Sequence, residues 1–201
     1  MDKELINSHT KIKICGMTCE ADIKAVNTYL PDYIGFVLFF PKSNRNISIE
    51  QAEHLLEKVD KKIRTVAVVV SPTTEQIRQI EKAGFDYIQI HGTVTEDVYK
   101  QCKLPILRAF NVSDLDKLNE YKIKGYVFDS KTPGSGKTFD WSLLDNIRQR
   151  QKTDASKDVS HKKNKKMIFL AGGIDETNVK RAISQVAPDV IDLSSAVEKT
   201  S

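Results

Sequence analysis

A cysteine near the start of the chain has the position of a reactive thiol. Cys15 ends an apolar strand-like run and is followed directly by Gly16, which can turn the backbone sharply because it has no Cβ. Thr18 then offers an N-cap for a helix-like run over residues 19–30. Cys15 is therefore predicted to project from a corner between a strand and a helix. The alternative is a buried, inert cysteine, because free cysteine often packs as a small hydrophobic residue.

Polar side chains also follow other strand-like runs at their carboxyl ends. Gln89 and His91 end one run, Asp129 follows another, and Arg45 lies in the polar loop after a third. Cysteine, histidine and aspartate converging on one face could carry acid–base chemistry. Two alternatives stay open, since Asp129 could simply initiate a turn and His91 could be a structural histidine.

Small residues follow the last two strand-like runs, where barrel enzymes commonly bind phosphate through backbone N–H groups. These residues are Gly172 and Gly173 after one run, and Ser194, Ser195 and Ala196 after the other. Two ordinary tight turns are the alternative. A further loop with Gly134, Ser135 and Gly136 resembles a phosphate cradle, but it lacks the spacing of a P-loop. The two clusters after the last strand-like runs indicate a phosphorylated substrate.

The elements that must position these residues alternate regularly between short β-branched runs and longer amphipathic runs. Strands are predicted at 11–15, 33–39, 65–70, 86–90, 105–110, 125–128, 167–171 and 189–193. Helices are predicted at 19–30, 48–58, 73–84, 94–103, 113–121, 140–150 and 176–186. This alternation predicts a parallel sheet, and the count of eight strands favours a closed (β/α)8 TIM barrel over an open doubly wound sheet. An eighth helix is expected to be missing or very short.

The composition predicts a single soluble domain over residues 1–201. Hydrophobic residues make up 40% of the chain, and 31 basic residues against 27 acidic ones give a mild positive charge that suits an anionic substrate. Neither nucleic-acid binding nor a membrane span is expected. The three cysteines have no disulfide-framework spacing, and residues 1–10 lack the apolar core of a signal peptide, so we expect a cytoplasmic protein.

One basic polar tract interrupts the alternation at residues 149–166, between the sixth helix and the seventh strand. It has no interleaved aromatic residue, so a solvated loop is favoured over a nucleic-acid patch. Cys15 and Cys19 could suggest a metal pair. No second Cys/His pair has ligand spacing, and we therefore predict no metal site.

The chain resembles the phosphoribosylanthranilate isomerase family of tryptophan biosynthesis. The resemblance lies in seven segments that follow one another along nearly the whole chain: 13–16, 35–45, 89–92, 128–130, 134–141, 170–174 and 192–198. It implies a (β/α)8 barrel and a cofactor-free Amadori rearrangement of N-(5-phosphoribosyl)anthranilate. It also implies that Asp129 is the general acid, Cys15 the general base as a thiolate, and Arg45 the ligand of the anthranilate carboxylate. Gln89, His91 and Asp192 match positions that line the substrate site.

A free thiol has a pKa near ~8.5, so the predicted role of Cys15 requires a nearby positive charge or a helix N-terminus. The chain departs from the family pattern at Ala196, where glycine is usual, and an alanine can offer its N–H there only if its φ is negative. Apolar surface left uncovered by a missing eighth helix would favour a homo-oligomer.

Two other functions remain open. The first is the related sugar-phosphate isomerase of histidine biosynthesis, although that family uses a carboxylate at the position of Cys15. The second is a non-catalytic barrel that binds a phosphorylated ligand without turning it over.

Overall fold

The computed structural model describes residues 10–111, 123–129, 140–144 and 166–198. Its strands are β1 (Lys11–Cys15), β2 (Tyr33–Leu38), β3 (Asn46–Ile47), β4 (Arg64–Val70), β5 (Tyr87–His91), β6 (Ile106–Asn111), β7 (Ile123–Asp129), β8 (Met167–Leu170) and β9 (Val190–Leu193). Its α-helices are α1 (Glu20–Tyr29), α2 (Ile49–Leu56), α3 (Thr74–Ala83), α4 (Glu96–Gln101) and α5 (Val179–Val186). Short 3-10 turns cover Trp141–Leu144 and Ser195–Val197.

The strands form a closed parallel barrel. Eight of them follow one another in the order β1, β9, β8, β7, β6, β5, β4 and β2, and a parallel pairing of β1 with β2 closes the ring. This closure confirms the predicted TIM barrel. It places Cys15 beside Gly35 on one neighbouring strand and Lys13 beside Asp192 on the other.

The two-residue strand β3 was not predicted from the sequence. It pairs with the end of β2 outside the ring, within a stretch predicted to be a polar loop. A strand this short carries no periodicity, and pairing to its neighbour is what defines it. The strand β2 is also one residue shorter than predicted, because Phe39 adopts a φ of 57°.

Local capping residues start and stop the helices largely as predicted. Ser48 accepts a hydrogen bond from the Gln51 N–H at the start of α2, and Thr73 does the same for α3. Gly84 ends α3 with a φ of 87°. The prediction for α1 was wrong by one residue, because Cys19 rather than Thr18 occupies the N-cap.

The Asp22 carboxylate explains the shifted start of α1. It accepts hydrogen bonds from the backbone N–H groups of both Thr18 and Cys19, at 2.8 and 3.1 Å, and from the Thr18 hydroxyl. Thr18 is therefore held before the helix as a donor. Its side chain is not available as the capping acceptor.

Two environments share the apolar core. One lies between the strands and the surrounding helices, where residues such as Ile34, Phe36 and Ile88 are completely buried. The other fills the barrel interior, with Phe169 and Val127 among its members. Side chains alternate between these environments along each strand, and three polar residues, Lys13, Gln89 and Asp192, are buried on the interior side.

Several predictions concern residues outside the described ranges. They are the helix at 113–121, positions 145–150 of the helix at 140–150, nearly all of the tract at 149–166, and the loop with Gly134, Ser135 and Gly136. The 3-10 turn Ser195–Val197 follows β9, and residues 199–201 also lie outside the description. None of the helices in the described ranges is long and apolar enough to span a membrane.

Candidate active site

A cavity of about 440 Å³ opens at the carboxyl ends of the barrel strands. It brings together six of the predicted site residues, namely Cys15, Arg45, Gln89, His91, Asp129 and Asp192. Four of the predicted phosphate-binding residues line it as well, namely Gly172, Gly173, Ser194 and Ser195. Ala196 does not line the cavity, but it lies in the adjacent 3-10 turn and has no positive φ, so its N–H keeps an ordinary geometry.

Cys15 is half-buried at the end of β1 and faces the barrel interior. A Cβ added to Gly35 on the neighbouring strand would lie 2.8 Å from the Cys15 sulfur and 3.2 Å from the Lys13 nitrogen. Glycine at this position therefore gives the thiol and the ammonium group the space they occupy. After Cys15 the chain turns at Gly16, whose φ is 106° and whose N–H donates to the Gly35 carbonyl at 2.9 Å.

Lys13 is completely buried below the cavity. Its ammonium group donates to both carboxylate oxygens of Asp192, at 2.9 and 2.7 Å. Burial lowers the pKa of Lys13, but the charges and hydrogen bonds of Asp192 and Cys15 outweigh that effect and raise the pKa above its usual value. Lys13 therefore carries a positive charge at neutral pH.

The electrostatic setting of Cys15 combines opposed effects. Burial raises the pKa of the Cys15 thiol, the positive charge of Lys13 lowers it, Asp192 raises it, and Arg45 lowers it. The net result is a pKa above the usual value. The positive charge expected beside Cys15 is present, but it does not fully offset burial.

Arg45 reaches the cavity from the loop between β2 and β3, and its side chain passes close over Gly16. A Cβ at Gly16 would lie 2.6 Å from the Arg45 Cδ, so this glycine makes the approach possible. The Glu198 carboxylate binds the guanidinium through both oxygens, one on Nε and the other on Nη2 at 2.8 Å. Within the described residues Nη1 makes no hydrogen bond, which leaves the Nη1–Nη2 edge available to a second carboxylate.

Gln89 and His91 form a pair on β5. The Gln89 amide nitrogen lies 2.9 Å from His91 Nε2. Burial, together with the charges of Lys13 and Arg108, lowers the pKa of His91 to about 4, so the ring is neutral and Nε2 accepts the hydrogen bond. The Gln89 side-chain oxygen is buried without a hydrogen-bond partner among the described residues.

The loop after β9 is hydrogen-bonded to the end of β1. The Ser194 hydroxyl donates to the Cys15 carbonyl at 3.0 Å. This bond fixes the position of the turn that contains Ser195 and Ala196 against the strand that carries the thiol. The small residues at 172–173 and 194–195 therefore lie around the same cavity as Cys15.

Sequence reasoning gave no role to two residues of the site. Lys13 could have been recognised from the alternation of side chains along a strand. Residues two apart in a strand face the same side, and Lys13 lies two positions before Cys15. Glu198 carried no such signal. It lies 153 residues from Arg45 along the chain, and only folding brings the two together.

A (β/α)8 barrel with a thiol, a carboxyl group and an arginine around one cavity at its strand ends has the architecture of the (β/α)8-barrel enzymes, whose active sites lie at this end of the barrel. The family model described as N-(5'-phosphoribosyl)anthranilate (PRA) isomerase matches residues 12–200. The chain therefore belongs to the N-(5'-phosphoribosyl)anthranilate isomerase family, the isomerases of tryptophan biosynthesis.

Relatives and solved structures of this family are similar over most of the chain. The N-(5'-phosphoribosyl)anthranilate isomerase of Clostridium kluyveri is 40% identical over 193 residues, covering 94% of this chain and 88% of the relative. That of Streptococcus mutans is 36% identical over 190 residues, covering 94% and 90%. The crystal structure of the Thermotoga maritima enzyme has a TM-score of 0.78 at 29% identity, covering 96% and 91%.

One of the similar structures contains a ligand. It is a phosphoribosyl anthranilate isomerase in complex with reduced 1-(o-carboxyphenylamino)-1-deoxyribulose 5-phosphate. The TM-score is 0.76 at 27% identity, with 96% of this chain and 90% of that chain covered. This ligand carries a phosphate and an aromatic carboxylate, the two groups that the small-residue loops and Arg45 were predicted to bind.

Proposed function

We propose that this protein catalyses the Amadori rearrangement of N-(5-phosphoribosyl)anthranilate to 1-(2-carboxyphenylamino)-1-deoxyribulose 5-phosphate, with Asp129 as general acid and Cys15 as general base. The observation that carries the proposal is the cavity itself. Cys15 at the end of β1 and Asp129 at the end of β7 line it together with Arg45 and the small-residue loops after β8 and β9. No cofactor takes part in the proposed steps.

Asp129 acts first in this scheme. Its carboxyl group donates a proton to the ribose ring oxygen, the bond between that oxygen and C1 breaks, and the nitrogen lone pair forms an iminium with C1. The location of Asp129 at the carboxyl end of a barrel strand is where such a group can reach the substrate.

Cys15 acts second. The iminium acidifies the proton on C2, and the Cys15 thiolate removes it, so that the electrons of the C2–H bond form the double bond of an enolamine. The enolamine then gives its hydroxyl proton to the Asp129 carboxylate and takes a proton at C1 from the Cys15 thiol, which gives the ketone. Hydrogen has moved from C2 to C1, and both side chains return to their starting protonation states.

The remaining cavity residues hold the substrate. The free Nη1–Nη2 edge of Arg45 is suited to the anthranilate carboxylate, because a planar guanidinium can bind a planar carboxylate through two parallel hydrogen bonds. Gln89 lines the same cavity and would contact the ribose. The loops with Gly172, Gly173, Ser194 and Ser195 would bind the phosphate, as would the loop with Gly134, Ser135 and Gly136.

The first test is turnover of freshly generated phosphoribosylanthranilate, followed by the loss of anthranilate-type fluorescence. Cys15→Ser and Asp129→Asn should each lower kcat by about 10² to 10⁴-fold, with circular dichroism unchanged. Cys19→Ser, a change at an exposed cysteine four residues away, is the matched control and should retain full activity. Near-native turnover by the Cys15 or Asp129 variant would remove that residue from its proposed role.

The same assay separates the alternatives. Binding of the phosphorylated compound without turnover would indicate a non-catalytic barrel. Turnover of the histidine-pathway substrate but not of phosphoribosylanthranilate would indicate the related isomerase.

Arg45 is tested separately because its role is in binding. Arg45→Ala should raise KM by more than it lowers kcat, since the lost bonds hold a carboxylate remote from the reacting atoms. Arg78→Ala is the control, because Arg78 is an exposed arginine of α3 paired with Glu75. An unchanged KM in Arg45→Ala would exclude Arg45 from the substrate site.

A further inference from the structure

We propose that Lys13 is a positioning residue whose buried positive charge stabilises the Cys15 thiolate, and that Asp192 limits this stabilisation by sharing the same charge. The inference rests on the proposed role of Cys15 as the base. It assigns a function to the buried ion pair of β1 and β9.

The hydrogen bonds of the ammonium group define the geometry. An ammonium group has three N–H donors and no acceptor. Two of the Lys13 donors point to the carboxylate oxygens of Asp192, at 2.9 and 2.7 Å. The positive charge of the ammonium group also acts on the Cys15 side chain, and Lys13 is shielded completely from solvent. One buried cation therefore serves two groups that can carry negative charge.

The backbone imposes this arrangement. Lys13 and Cys15 are two residues apart on β1, so both side chains face the barrel interior. Pairing of β1 with β9 brings Asp192 level with Lys13, and pairing with β2 brings Gly35 level with Cys15. Because Gly35 has no side chain, the sulfur and the ammonium nitrogen lie against the same empty position, at 2.8 and 3.2 Å from the point that a Cβ would occupy.

Stability alone does not account for the pair. The cost of removing two charges from water offsets most of their attraction, so apolar residues of similar volume would stabilise a barrel interior as well or better. Asp192 lines the cavity whereas Lys13 lies behind it. The pair therefore brings a cation to the side of the thiol that faces away from the cavity.

Other charged and titratable groups also face Cys15. Those that line the same cavity are Lys42 and Arg45 from the loop after β2, His91 from β5, Asp129 from β7 and Asp192 from β9. Arg45 lowers the pKa of the thiol and Asp192 raises it. The experiment must therefore alter Lys13 and Asp192 separately and leave the other groups in place.

The test measures the thiol directly, without substrate. In a full-length Cys19→Ser/Cys102→Ala background, Cys15 is the one remaining cysteine of the chain, and its rate of alkylation by iodoacetamide follows the thiolate fraction. The midpoint pH of alkylation should rise by about one unit in Lys13→Met, which is about tenfold in rate below the midpoint. It should fall in Asp192→Asn, because the full charge of Lys13 then acts on the sulfur.

Two further variants keep the test decisive. Lys13→Met leaves Asp192 buried without its partner and could prevent folding, so Lys13→Met/Asp192→Asn removes both charges and should still show a raised midpoint. Lys11→Met is the matched control, since Lys11 is an exposed lysine two residues earlier on the same strand, and its midpoint should equal that of the parent.

The outcomes separate this inference from the proposed function. Unchanged midpoints, or midpoints that move in the same direction in Lys13→Met and Asp192→Asn, would overturn the role of Lys13. Absence of turnover in the unaltered protein would instead contradict the proposed function, and it would leave the alkylation result intact.

Discussion

Replacing Gly35 with alanine should impair catalysis through one methyl group. The new Cβ would lie 2.8 Å from the Cys15 sulfur, whereas ordinary van der Waals contact begins at about 3.4 Å. The sulfur must therefore retreat by about 0.6 Å, and the Lys13 nitrogen, at 3.2 Å, must also give way. Misplacement of a reacting group by 1 Å can cost about 10²-fold in rate, so we expect kcat to fall by at least about tenfold.

Overpacking also destabilises a barrel, and a control must separate that effect from the effect on the thiol. Gly35→Ala should lower the free energy of unfolding by about 1–3 kcal/mol, measured by urea titration. Gly125→Ala is the matched control, because its Cβ would lie 2.9 Å from the Met167 carbonyl on a neighbouring strand, away from Cys15. It should lose stability to a similar extent and keep a kcat close to that of the parent.

The reasoning would be refuted if Gly35→Ala kept kcat within about twofold of the parent, since a methyl group at that position would then leave the productive geometry intact. Equal losses of kcat in both glycine variants would also refute it. That result would assign the loss to general destabilisation of the barrel rather than to displacement of the thiol.

Three further predictions concern charge. Because the pKa of the Cys15 thiol is raised, the fraction of thiolate, the active form of the base, increases as the pH rises. We therefore expect kcat/KM to rise between pH 7 and 9. A flat profile would argue against Cys15 as the base. The pKa of His91 falls from 6.5 to about 4 on folding, so the unfolded chain binds more protons between these values. The free energy of unfolding in urea should therefore drop as pH decreases across that range, with a contribution from His91 of about 3 kcal/mol at most, and the drop should be smaller in His91→Asn. Glu198→Gln should raise KM about three- to tenfold with little change in kcat, because the Arg45 guanidinium loses its paired hydrogen bonds to a carboxylate. An unchanged KM would show that Glu198 does not position Arg45. Glu176→Gln, at an exposed residue, is the control.

The order of elements could be predicted because it depends on local patterns. Alternating strand-like and helix-like runs predicted the barrel, and Ser48, Thr73 and Gly84 cap their helices where the sequence placed them. The N-cap of α1 was predicted at Thr18 but lies at Cys19. The Asp22 carboxylate, from the first turn of the helix, accepts the hydrogen bonds of the Thr18 N–H and hydroxyl and so holds Thr18 outside the helix. The short strand β3 exists only through its pairing with β2.

The sequence by itself determined which residues stand at the ends of strands, since a strand and its end are local features. It thereby located Cys15, His91 and Asp129 around what proved to be a single cavity. The tertiary structure decided which charges meet. Lys13 and Asp192 are 179 residues apart, and Arg45 and Glu198 are 153 apart. Closure of the barrel between β1 and β2, and the register of β1 against β9, bring these groups into contact, and no local pattern encodes that register.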